Sequence, residues 1–193
     1  MNRKLQIGVM GSAANLNYSK QAEITAELIG ELIAKSGNIL IYGAEKDYDS
    51  LSTAAARGAK KANGIIIGIT YGKGKEIYDK ENADIVIPSG LERGGGREFV
   101  LVNSCDAVIS IGGGSGTLTE IAIAYQLNIP MIAIKGYGGW SDKLANTYLD
   151  ERKRRKIIEA KTPKEAVDLA IEEAKKTLIN QEKLNKSKEE SKK

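Results

Sequence analysis

The 193-residue chain contains no histidine and a single cysteine, Cys105. The first absence excludes Ser-His-Asp triads, Cys-His dyads, histidine metal sites and a histidine general base. The second excludes an intrachain disulfide, removes any sign of an oxidising compartment, and leaves nothing from which to build zinc clusters or iron–sulfur sites. Long apolar runs are missing too. No stretch approaches the roughly 20 residues that span a bilayer, and the opening MNRKLQIGVMGS lacks the apolar core of a signal peptide. A cytoplasmic address and no membrane partner are expected. Chemistry then falls to carboxylates, Arg, Lys, Tyr, Ser, Thr and backbone groups.

Net charge is also lacking over most of the chain. Residues 1–174 hold 22 Lys+Arg and 22 Asp+Glu, while the last 19 residues hold seven Lys and three Glu, which is the whole formal +4. The basic balance belongs to a tail, so no basic face is implied and nucleic acid is not an expected partner. Residues 180–193 (NQEKLNKSKEESKK) are low in complexity and are expected to be frayed or disordered, leaving residues 1–179 as one domain. With 41% apolar residues, that domain can bury a core.

What is present is an alternation of short apolar strands and amphipathic helices. Leu5–Met10, Asn38–Tyr42, Gly64–Ile69, Ile85–Ile87, Ala107–Ile111, Met131–Ile134 and Ile157–Ala160 read as strands. Helices are expected at Ser19–Lys35, with Gly37 as C-cap, and at Ser50–Lys61, Arg97–Ser104, Thr117–Leu127 and Asp142–Leu149. A last helix opens at the capping box Thr162-Pro-Lys-Glu165 and runs to about Leu178. This order implies an α/β, Rossmann-like, doubly wound, mostly parallel sheet with helices on both faces.

Of 21 glycines, 15 fall in loops after strands, among them Gly94 and Gly95; such loops gather at the carboxyl edge of an open parallel sheet, where ligands bind. The strongest motif is Ile111-Gly-Gly-Gly-Ser-Gly-Thr-Leu-Thr-Glu120. Its spacing fits neither the dinucleotide fingerprint nor the P-loop. It is nonetheless a glycine loop running into a helix N-terminus, where unpaired N–H groups and hydroxyls make a phosphate cradle. The alternative is a tight turn with Thr117 and Glu120 as a second capping box. Candidate phosphate- or nucleotide-binding residues are Gly11, Ser12, Gly112, Gly113, Gly114, Ser115, Gly116 and Thr117. Arg97 opens the preceding helix. A cation there opposes the helix dipole, so either an anion lies near it or it is a solvated surface residue.

Arg97, followed after an aliphatic strand by Gly112-Gly113-Gly114-Ser115-Gly116-Thr117-x-x-Glu120, resembles the Lonely Guy proteins of the SLOG superfamily, many of which carry an old lysine decarboxylase label that their chemistry does not support. The superfamily also includes molybdenum-cofactor carriers and DprA-like proteins. The resemblance implies hydrolysis of the N-glycosidic bond of a nucleoside 5′-monophosphate, releasing base and ribose 5-phosphate with no required cofactor. Arg97 and Glu120 match the catalytic pair, and the glycine loop matches the phosphate site. It also implies a homodimer or larger assembly. The helix Thr117–Leu127, apolar nearly all round, needs cover on more than one side. The chain departs from the pattern in three segments. Gly112 replaces a proline, Glu98 stands where a lysine follows the arginine, and Glu45, Asp47 and Asp49 replace a glycine-rich segment. These carboxylates would repel a phosphate unless turned outward or bridged by a metal. The G-G-G start also resembles the molybdenum-cofactor-carrier branch, which implies non-catalytic binding of a molybdopterin-type ligand as the alternative.

Overall fold

The computed structural model describes residues 3–92 and 96–190; the expected loop glycines Gly94 and Gly95 lie outside them. Seven strands form one sheet: β1 (Gln6–Gly11), β2 (Ile39–Gly43), β3 (Ile65–Thr70), β4 (Ile85–Pro88), β5 (Ala107–Ile111), β6 (Met131–Ile134) and β7 (Ile158–Ala160). Their order is β4-β3-β2-β1-β5-β6-β7 and every pairing is parallel. The α/β doubly wound architecture is therefore the one the alternation implies.

Among the described residues, six α-helices cover the sheet: α1 (Lys20–Lys35), α2 (Leu51–Lys61), α3 (Gly96–Asn103), α4 (Ser115–Gln126), α5 (Gly139–Leu144) and α6 (Pro163–Glu190). Side chains alternate along each strand, so one sheet serves two cores. Ile7 and Val9 of β1 and Ile109 and Ile111 of β5 pack on the side of α1, α2 and α6. Met10 and Val108 face the opposite layer, with Leu101 of α3 and Ile121 and Ala124 of α4. Ser19 and Ser50 cap α1 and α2 by accepting the amides of Ala22 and Thr53, and Gly37 takes the left-handed conformation (φ +77°) after α1.

The ends of three helices differ from the sequence pattern. α4 begins at Ser115, because Gly114 in extended backbone is the N-cap and its carbonyl accepts the Leu118 amide at 3.0 Å. Thr117 and Glu120 are therefore not a capping box. α5 begins at Gly139 and ends at Leu144, where Ala145 becomes extended and Asn146 turns left-handed (φ +66°). α6 continues twelve residues past Leu178, since no glycine or proline interrupts it; residues 180–189 are all exposed. No helix among the described residues is long and apolar enough to cross a membrane.

The order of the sheet reverses at β1, which pairs with β2 on one side and β5 on the other. The loops leaving β1 and β5, at Gly11 and Gly112, thus lie side by side at the carboxyl edge, where an open α/β sheet forms its crevice.

Candidate functional site

A cleft of about 360 Å³ opens at this crevice. It is lined by Gly114 and the first turn of α4 (Ser115, Gly116, Thr117) and by Gly43, Glu45, Tyr71, Arg97 and Glu98. Gly11 and Glu120 also line it, while Asn15, Tyr48 and Ser52 add polar rim groups.

The glycine loop is shaped by its neighbours. Gly112 and Gly113 have φ of +62° and +97°, which side-chain-bearing residues rarely adopt. Ser12 does not point its acceptor at the cleft, as its hydroxyl oxygen accepts the Gly113 amide at 2.7 Å. From behind, the N-terminus of α5 donates to the loop: Ser141 N–H to the Gly112 carbonyl at 2.9 Å and Trp140 N–H to the Gly113 carbonyl at 3.0 Å. Thr117 Oγ1 donates to the Gly11 carbonyl at 3.4 Å. These bonds orient the loop so that the amides of Ser115, Gly116 and Thr117, at the positive end of α4, make no backbone hydrogen bond to the described residues. Gly116 is informative: a Cβ built there meets nothing within 4 Å. No packing among the described residues demands glycine at this position, which lines the cleft.

Arg97 is not a solvated surface residue, being only 5% exposed. Its guanidinium lies 4.2 Å from the centre of the Tyr71 ring, and Nη2 donates to the Tyr71 hydroxyl oxygen, with Glu45 and Glu98 oxygens at 3.4 and 3.5 Å. Burial opposes its charge, but Glu120, Tyr71 and Glu98 more than offset that, and the pKa lies above the usual arginine value. Glu120, 6% exposed, is pushed up to about 7, first by burial and then by repulsion from Glu98 and Glu45, against the attraction of Arg97. Arg97 from α3 and Glu120 from α4, the two residues that the family resemblance singles out, line one cleft with the start of α4.

The acidic segment after β2 divides. Asp49 is turned away, accepting from Arg57 Nη1 at 2.9 and 3.0 Å. Asp47 lines an adjoining cavity of about 320 Å³ with Lys46 and Lys73. Of the three acids only Glu45 faces the cleft. Among the described residues, no group of three or more carboxylate or thiol side chains is placed to hold a metal ion; Asp49, bound by Arg57, does not line the cleft. Sequence reasoning missed Tyr71 and counted Gly43 only among the loop glycines of the carboxyl edge, without a role. Both stand at strand ends on the carboxyl edge, the only signal either gave.

A model of the SLOG cluster4 family matches residues 4–167. An uncharacterized protein of Archaeoglobus fulgidus is 38% identical over 122 residues, 63% of this chain and 74% of its own. Among solved structures, TM1055 superposes with a TM-score of 0.77 at 29% identity, over 88% of this chain and 99% of that one. The molybdenum cofactor binding protein of the phototrophic bacterium Rippkaea orientalis gives 0.73 at 32% identity, over 88% and 96%. The molybdenum cofactor carrier protein MCP of Chlamydomonas reinhardtii gives 0.74 at 27%, over 89% and 98%. With its sheet order, glycine loop and matched length together, the chain belongs to the SLOG cluster4 family.

Proposed function

We propose that this protein binds a phosphorylated, pterin-type ligand of the molybdenum cofactor class and carries it without turnover. The observation that supports it is the first turn of α4. Three amides there lack backbone partners beside a glycine, Gly116, that the chain's own packing does not require. Such a turn suits a phosphate monoester. Gly114, Ser115, Gly116 and Thr117, which line the cleft, would seat the phosphate, with Gly112, Gly113, Gly11 and Ser12 shaping the loop behind them. The polar rim of Asn15, Ser52 and Tyr48 and the carboxylates of Glu45 and Glu98 suit the N–H donors of a pterin ring. Likeness over nearly the whole domain to two proteins named for molybdenum cofactor binding or carriage favours this ligand.

A second reading, nucleoside 5′-monophosphate phosphoribohydrolase, is favoured by one observation. Glu120, held near 7 beside Arg97, has the proton affinity of a general acid–base group at neutral pH. In that reading Arg97 orients the substrate and Glu120 positions water. The open apolar groove of Phe99, Leu118, Ala122, Ile123 and Leu127 on α3 and α4 supports a second copy of the chain as partner. Nucleic acid is not part of either reading.

One experiment separates the two. The purified protein is mixed with molybdenum cofactor released from a molybdoenzyme, and separately with AMP. The carrier reading expects pterin fluorescence to co-elute with the protein and no free adenine to form. Adenine and ribose 5-phosphate released by the wild type but not by Glu120→Gln would overturn it in favour of the hydrolase.

A further inference from the structure

We propose that Tyr71 and Gly43 form a positioning device for Arg97, fixing one edge of the guanidinium so that its other edge meets the ligand. The inference rests on the binding reading above and assigns a role to two residues outside the family's glycine-loop motif.

All the hydrogen bonds of the Arg97 side chain among the described residues leave from one nitrogen. Nη2 reaches the Tyr71 hydroxyl and the carboxylates of Glu45 and Glu98. Nε and Nη1 are buried and have no partner among the described residues. A buried donor left without an acceptor costs about 1–3 kcal/mol, so a site that holds an arginine this way is built to meet an acceptor. Arg97 lines the cleft, and an oxygen of the bound ligand is the acceptor that fits there.

Two contacts set the plane of the group. Below it the Tyr71 ring, at 4.2 Å, provides a cation–π face. Tyr71 also stands between charges: its hydroxyl accepts from Arg97 and donates to Glu98 at 2.7 Å, so its proton has one direction. Beside Nη1 is Gly43, the last residue of β2. A Cβ there would fall 1.7 Å from Nη1 and 2.9 Å from Cζ. Glycine at 43 is therefore the space that Nη1 occupies. The phenol holds one edge, and the missing side chain admits the other.

The test uses the full chain and two readouts. The first needs no ligand. In nitrogen-15 spectra of the arginine side chains, Arg97 is identified by its loss in Arg97→Lys. A clamped guanidinium shows separate Nη signals because rotation about Cζ–Nη is hindered. Tyr71→Phe keeps the ring and removes the hydroxyl, and is expected to merge those signals; Gly43→Ala is expected to shift Arg97 Nη1 and Nε. Unchanged Arg97 signals in both variants would overturn the proposal whether or not any ligand binds. The second readout is binding of a 6-alkylpterin phosphate monoester, followed by its fluorescence. Tyr71→Phe is expected to weaken it about tenfold, and adding Tyr71→Phe to Arg97→Lys to cost less than about a further twofold. Fully additive losses would show that Tyr71 acts independently of Arg97 and overturn the proposal. A wild type that binds neither this probe nor inorganic phosphate, with the Arg97 signals behaving as expected, would overturn the binding reading and leave the clamp standing.

Discussion

The Ser12 hydroxyl oxygen accepts the Gly113 amide at 2.7 Å and so ties the end of β1 to the glycine loop leaving β5. The bond joins residues that lie 101 positions apart, at the point where the sheet order reverses. It is buried, with Ser12 7% exposed, and Ser12→Ala leaves the Gly113 amide without an acceptor. A loss of about 1–2 kcal/mol is expected in urea unfolding. Because the α4 amides are aimed through this loop, phosphate binding should weaken in the same variant. Unaltered binding by Ser12→Ala would mean that α5, donating from behind, holds the loop unaided.

Gly116 provides the opposite case. In the first turn of α4 it has open space around its Cβ position, and alanine is the better helix former by up to about 1 kcal/mol. Gly116→Ala is expected to leave stability unchanged or slightly raised. A methyl group placed before the open amides should nonetheless reduce binding of inorganic phosphate or a phosphate monoester tenfold or more, measured by calorimetry. A variant that binds as the wild type would place the phosphate elsewhere.

Much of this was legible in the residues. Periodicity located the strands and helices, because a sheet buried on both faces needs continuous apolar strands such as Ala107–Ile111. The family resemblance singled out Arg97 and Glu120, which line one cleft; the residues alone left Glu120 as a helix cap. Thr117 was misleading: T-x-x-E resembles a cap, but the extended backbone of Gly114 had already begun the helix. Tyr71 and Gly43 were out of reach for a different reason. They act through contacts with Arg97, 26 and 54 positions away; Tyr71 belongs to no local pattern, and Gly43 was one strand-end glycine among many. The direction of Asp49 was equally hidden, as it depends on Arg57 of the next helix.

The α1–α2 crossing is the tightest test of packing. A Cβ on Gly30 would lie 1.8 Å from the Ala55 carbonyl oxygen, and one on Gly58 would lie 1.8 Å from that of Glu27. Backbone, unlike a side-chain end, cannot swing aside. Gly30→Ala and Gly58→Ala should each cost about 1–3 kcal/mol or more, seen as a lower denaturation midpoint. Their helix propensity would predict the reverse, so the sign alone decides.

Arg57 keeps negative charge out of the cleft. It binds Asp49 and Glu23 at 2.9 Å and Glu27 at 3.5 Å, with 19% of its side chain exposed. Arg57→Ala is expected to destabilise the fold by about 2–4 kcal/mol, since three partly buried carboxylates lose their shared cation. It should also weaken phosphate binding, more at low salt than at high, because the released Asp49 is near the loop that borders the cleft. Arg57→Ala with Asp49→Asn should recover most of the binding but not the stability. Recovery of neither would show that Asp49 is remote from the ligand.

Glu120 links the site to pH. Its folded pKa lies near 7 against an ordinary 4.5, so the folded chain holds this proton more tightly than the unfolded chain does. Below about pH 4.5 both states are protonated and no penalty arises. Between there and about pH 7 only the unfolded state ionises, and stability falls as pH rises; above 7 the full penalty is present. At roughly 1.4 kcal/mol per pH unit, that penalty is ~3 kcal/mol. Glu120→Gln removes the titration. It should be close to neutral at pH 4 and stabilising at pH 8, where urea midpoints of the two proteins are compared. Ligand binding follows the same group. A phosphate monoester meets less repulsion when Glu120 is protonated, so wild-type affinity should drop as pH rises through 7 in excess of any change due to the ligand's own ionisation. The Glu120→Gln profile should show only that ligand ionisation. Parallel profiles for the two proteins would separate Glu120 from the bound phosphate.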